Sequence, residues 1–195
     1  MSHFSKYIAA FGVAATLGFA ALPLSSYAET SVSQEVKVTV NSSLAISMKS
    51  GSSHTLTIDQ NSFNDGSDSS NRIQHELEVV SNSSTGYNIT LQDSDDNNDL
   101  SGPNSAKIEA ISAVGAIAAG DGTWGWQKVA TAGATSAASW NPVPTTASSA
   151  ATVHTSGTTN TTVTESTFVR YGVATTASQA SGDYTDTVVY RVQAN

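Results

Sequence analysis

From Glu29 onward the apolar residues of this chain recur at every second position, in run after run. No stretch repeats them at the three- and four-residue spacing of a long helix. Val36, Val38 and Val40 alternate with polar neighbours, and so do Leu44, Ile46 and Met48. Leu56 and Ile58 mark a further short run. Ile73, His75, Leu77 and Val79 follow, then Tyr87, Ile89 and Leu91, and later Val169, Tyr171 and Val173. Period two is the signature of a strand with one face buried, because successive side chains leave a strand on opposite sides. The final run, after the Gly182-Asp183 turn, puts Val188, Tyr190 and Val192 on one face and Thr187, Val189 and Arg191 on the other. Its backbone needs partners in a sheet assembled from earlier residues.

Turn-rich segments separate these runs. Asn61 to Asn71 reads as loop, with Phe63 as its core anchor. Asn82 to Gly86 reads as the turn of a hairpin joining the strand from Arg72 to Ser81 to the one at Tyr87 to Leu91. Asp93 to Gly102 is an acidic loop, and Ile108 and Ile111 mark a short strand or an irregular segment. Residues 129–166 are rich in Ser, Thr and Ala and read as an extended excursion without regular structure. Val36 to Val40 and Leu44 to Met48 form either one bulged strand or two short ones. The sum is eight or nine short strands with no internal repeat. It predicts one all-β domain, a Greek-key, immunoglobulin-like β-sandwich.

The first 28 residues read as an address. Lys6 lies in a short polar start, Ile8 to Ala21 is apolar, Pro23 breaks the run, and Ser26-Tyr27-Ala28 is a small-x-small cleavage pattern. This is the plan of a secretory signal peptide, and the apolar run is short of the about 20 residues of a membrane span. Cleavage after Ala28 leaves residues 29–195, which is 195 − 28 = 167 residues, the size of one domain. The chain has no cysteine, which excludes disulfides, thiolate metal sites and a lipid on an N-terminal Cys. No apolar tail follows the last strand, so the expectation is a secreted, surface-associated protein with no membrane insertion after cleavage. Its net charge of −8 becomes −9 once Lys6 leaves, which disfavours nucleic acid as a partner.

The ending Gly182-Asp-Tyr184-Thr-Asp-Thr187-Val-Val-Tyr190 resembles that of secreted bacterial surface β-sandwich proteins, the WxL-type and pilin-like modules. Ser81 to Ile89 and Trp124-Gly125-Trp126 add to the likeness. It implies an extracytoplasmic sandwich with a noncovalent cell-wall or assembly role. Trp124-Gly125-Trp126 and Tyr190-Arg191-Val192 stand where that family carries its two Trp-x-Leu motifs. The likeness therefore extends to fold and compartment rather than to peptidoglycan binding.

Three constellations bear on chemistry. Asp93, Asp95, Asn97 and Asp99 alternate along the acidic loop, with Asp96 beside them. They are hard oxygen donors of the kind a structural Ca²⁺ takes, or else a solvated loop. The helical calcium-loop motif is absent, since Asn98 and Asn104 hold its Gly and Glu positions. Trp124 and Trp126 share a face if their segment is a strand, with Trp140 placed to cap it. They form either a stacking platform for a cell-wall polymer or other glycan, or part of the core. His54, His75 and His154 are scattered, no Ser stands in Gly-x-Ser-x-Gly, and His75 reads as a packed histidine, so no catalytic set is assembled. Asn41, Asn82, Asn88 and Asn160 open Asn-x-Ser/Thr triplets, which matter only in a glycosylating host. Two roles remain. One is a non-catalytic structural or adhesion protein whose partners are copies of itself, with Gln34 to Val40 either paired at home or added to a neighbour's sheet. The other is a carbohydrate binder built on the tryptophans.

Overall fold

A computed structural model describes residues 37–40, 43–49, 55–67, 73–131, 134, 138–146, 148–158 and 161–195. The expected leader at 1–28, Val36 and His54 lie outside them. The chain divides into two units, 1–39 and 40–195, and only Lys37–Thr39 of the first is described. Among the described residues no helix is long and apolar enough to cross a membrane.

Ten strands are formed by the described residues of the second unit: β1 (Leu44–Met48), β2 (Phe63–Asn64), β3 (Ile73–Ser81), β4 (Tyr87–Asp93), β5 (Leu100–Ser101), β6 (Lys107–Ala110), β7 (Thr123–Val129), β8 (Ala151–Thr155), β9 (Val163–Ala174) and β10 (Val188–Ala194). They build two sheets, as the alternation predicts. The larger runs β1-β3-β9-β7-β6-β5, with β2 also on β9, and the smaller runs β10-β4-β8. All pairings are antiparallel except β6 with β7.

The core lies between the sheets. From the larger come Leu77, Val79, Trp124, Trp126, Val169, Tyr171 and Val173. From the smaller come Tyr87, Ile89, Leu91 and Val153, with Val188, Tyr190 and Val192 packed against them. The three core residues of β10 are those the alternation assigns to one face. That strand pairs with β4 along its whole length, Val188 opposite Asp93 and Ala194 opposite Tyr87. On the other face of β9 a second cluster gathers Phe63, Ile111, Ile117, Trp140 and Ala174.

Four expectations are corrected. The expected hairpin at Asn82 to Gly86 is an arch: β3 and β4 belong to different sheets, and Leu77 and Val79 face Ile89 and Leu91 across the core. Alternation shows which residues turn inward and is the same for either connection. The arch is held locally, with Ser83 N–H donating to Ser81 Oγ at 3.1 Å and Gly86 at φ +83°. The excursion at 129–166 contains β8 and the start of β9. Leu56 and Ile58 lie outside any strand, although Leu56 packs against the core. Lys37–Val40 are not in a strand either, and Val38 and Val40 are each 80% exposed.

Candidate functional site: an open seam between the sheets

The tryptophans are core. Trp124 and Trp126 do share a face of β7, but it is the inner one, and they are 3% and 4% exposed. Trp124 stacks at a tilt on Tyr171, with centroids 5.8 Å apart. Each indole N–H is taken by a backbone carbonyl, Trp124 Nε1 donating to Asn98 O and Trp126 Nε1 to Pro142 O, both at 2.9 Å. Trp140 does not cap this pair. It lies across the sheet over Gly172, edge-on to Phe63. Of the two readings of Trp124, Trp126 and Trp140, an exposed platform or part of the core, it is the core that holds. β7 lies inside the larger sheet between β9 and β6, and apolar rings on its inner face are buried by the smaller sheet.

The acidic loop does not converge either. Asp95 Oδ1 accepts the N–H of Asn97 in a local turn, and Asn97 Nδ2 donates to Ser101 Oγ. Asp99 is paired with Lys107 at 2.8 Å. Among the described residues no group of three or more acidic or histidine side chains is placed to hold a metal ion. Of the two readings of Asp93, Asp95, Asn97 and Asp99, the Ca²⁺ site is not assembled, because their oxygens are turned to separate donors.

Asp93 instead meets a carboxyl far away in sequence. It is fully buried, and it accepts the N–H groups of Ser94 and Asp95. The β10 register brings Asp186 beside it. Burial pushes Asp186 up to about 7. The Thr187 N–H acts against that shift and the Asp93 charge adds to it. Burial raises Asp93 as well, so two neighbouring buried carboxyls both favour the protonated form. The native pair thus keeps a proton that the unfolded chain releases from about pH 4 upward. Its stabilisation is fully present below that pH and is lost as pH rises through about 7. Melts of the wild type against Asp186→Asn from pH 4 to 8 should show the wild type losing about 2–5 °C relative to the variant. A constant difference would refute the retained proton.

A histidine and a carboxylate do come together, a pairing invisible in the sequence. His154 on β8 has Nε2 3.6 Å from Glu165 on β9, and Lys128 on β7 donates to its Nδ1 at 2.8 Å. The Tyr87 hydroxyl on β4 donates to the same Glu165 at 2.5 Å. Burial and this carboxylate hold the phenol well above its usual range. The four groups come from both sheets, are occupied with one another, and fasten the β8 side of the sandwich. His75 packs edge-on to Tyr171 and Tyr190, as a packed histidine should.

The β1–β10 side is different. Each of these strands ends its sheet, so each has one hydrogen-bonding edge without a neighbouring strand among the described residues. Between them runs an apolar groove of about 310 Å³, lined by Ile46, Met48, Leu77, Val188 and Tyr190 among others. Edge strands are ordinarily blunted by charge, proline or brevity. At the far end of the larger sheet, β5 is two residues long. In contrast, β1 reads Leu-Ala-Ile-Ser-Met, five residues with no charge and no proline, and Met48 is exposed.

The chain matches no known family, no characterised protein and no solved structure. What it can do is therefore read from its own surfaces. Of these, the unguarded β1 edge and the groove beside it depart furthest from what a self-contained sandwich needs. Sequence reasoning had one signal for this place, the uncharged alternation of Leu44 to Met48. It had none for the groove, which only the approach of β10 creates.

Proposed function

We propose that this chain is a secreted, non-catalytic structural or adhesion protein of the bacterial cell surface, acting through association with further copies of itself. One observation carries the reading: an uncharged edge strand beside an apolar groove, with the valine-alternating segment that precedes it lying exposed. Main-chain pairing at such an edge supplies affinity, and the apolar positions supply register. The signal-like leader and the likeness of Gly182 to Tyr190 to WxL-type and pilin-like endings support the compartment. The titratable groups that come together serve the fold: His154 with Glu165 bridges the two sheets, and Asp93 pairs with Val188 where β4 meets β10. The alternative, a cell-wall or carbohydrate binder built on the tryptophans, loses its platform with their burial.

The test is light scattering on the full chain, expressed with its leader and purified as the host processes it. Mass should rise with concentration into oligomers or filaments, and the N-terminal mass should correspond to cleavage after Ala28. A monomer at every concentration would remove the self-association reading.

A further inference from the structure

The geometry points to a specific donor and acceptor for that association, and the inference rests on the self-association reading. We propose that Val36–Val40 of one copy adds as a strand to the β1 edge of a second copy, placing its valines in the groove between β1 and β10.

Four observations select this occupant. First, Val38 and Val40 are each 80% exposed and outside any strand. Two aligned valines left in water are an unfavourable surface, and burying one fully is worth about 1.5–3 kcal/mol. Second, the pattern fits. The groove is lined by Ile46, Ser47 and Met48 on β1 and by Val188, Val189 and Tyr190 on β10, with Leu77 at its floor, and all but Ser47 are apolar. A strand laid between them presents alternate residues inward, which here are valines. Third, the length fits. Val36–Val40 and Leu44–Met48 are both five residues, about 17 Å of extended chain at 3.3–3.4 Å per residue.

Fourth, the charge fits. With the valines inward, Lys37 and Thr39 fall on the outward side. On the outward side of the neighbouring β3 stand Glu76 and Glu78, and Lys49 reaches Glu78 at 2.6 Å and Glu76 at 3.8 Å. A second lysine at this edge meets carboxylates rather than repulsion. Placing the donor in another copy leaves each chain with one donor and one acceptor. Such a heterologous contact repeats head to tail and gives filaments or rings.

The chain has no cysteine, so introduced pairs report without background. Thr39→Cys and Ser47→Cys both sit on the outward side of their segments. Mixed as separate full-length chains and oxidised, they should give a disulfide-linked heterodimer. Thr39→Cys mixed with Val114→Cys, whose native valine is 64% exposed elsewhere, should not. In parallel, Val38→Asp with Val40→Asp should weaken association at least tenfold in light scattering while leaving Tm unchanged at dilutions where the wild type is monomeric, since both positions are in water in the monomer. Oligomers that survive the double aspartate variant and give no Thr39–Ser47 link would overturn the donor assignment and leave self-association standing. A link forming within single chains of a Thr39→Cys/Ser47→Cys variant at high dilution would overturn donation to a second copy. A wild type that stays monomeric would overturn both readings together.

Discussion

Trp124→Ala should lower the unfolding free energy by about 3–5 kcal/mol, the range for truncating a buried large aromatic. The indole is 3% exposed, lies against Tyr171 at 5.8 Å and reaches Asn98 O from the β4–β5 connection. The substitution therefore opens a cavity between the sheets and leaves a part-buried carbonyl without its donor. Urea titration followed by far-UV circular dichroism measures the loss. Val114→Ala supplies the comparison: its side chain is 64% exposed, and the change should stay within about 0.5 kcal/mol. A loss below about 1 kcal/mol for Trp124→Ala would mean that the ring is on the surface, and would restore the glycan-binding platform. The assay thus separates the two functional readings through stability alone.

Gly86→Ala should cost about 2–4 kcal/mol, from left-handed backbone strain together with steric overlap. Gly86 ends the arch between β3 and β4 at φ +83°, a conformation that favours glycine. A Cβ there would stand 2.5 Å from Ser156 O and 2.6 Å from Gly157 O. Both are backbone atoms of the segment leaving β8, so no rotamer change relieves the overlap. Ser156 N–H donates to Tyr87 O at 2.8 Å, and Tyr87 N–H donates to Ser156 Oγ at 2.9 Å. Pushing the segment away therefore breaks the pairing that seats β8 on β4. Gly157→Ala is the internal control. Nothing lies within 4 Å of its Cβ position, so it should be close to neutral. Equal effects at the two positions would argue against the arch.

The two predictions probe different kinds of legibility. Tyr87, Ile89, Leu91, Val169, Tyr171, Val173, Val188, Tyr190 and Val192 were all readable as inward-facing, because large apolar side chains alternate there with small or polar ones. Strand β8 was not readable. Its sequence is Ala-Thr-Val-His-Thr within a long Ser/Thr/Ala run, and Val153 is its only large apolar residue. Burying Val153 against β4 decides what local contrast does not. Leu56 and Ile58 carried the right pattern and formed no strand, since two apolar residues do not supply a partner edge. Arg170 was missed altogether. It is fully buried beside Gln74 in the middle of the larger sheet, where its neighbours in sequence read only as a strand.

Among candidate sites the same division holds. That Trp124 and Trp126 share a side follows from their spacing. That the side is the core depends on β9 and β6 flanking them and on a second sheet covering them. The acidic loop was legible as a cluster in sequence, yet Asp93 turns inward to Asp186 while Asp99 turns to Lys107, partners 93 and 8 residues away. By itself, the sequence determined the all-β class, the absence of disulfides and the face to which most strand residues turn. Each of these follows from residue type and a two-residue period that the local backbone imposes. Only the tertiary structure decided which strands pair, that β3 and β4 join different sheets, and that β1 and β10, each the last strand of its sheet among the described residues, flank an apolar groove. Strand partners are chosen by burial summed over residues distant in the chain, and alternation within a strand is the same whichever partner it finds.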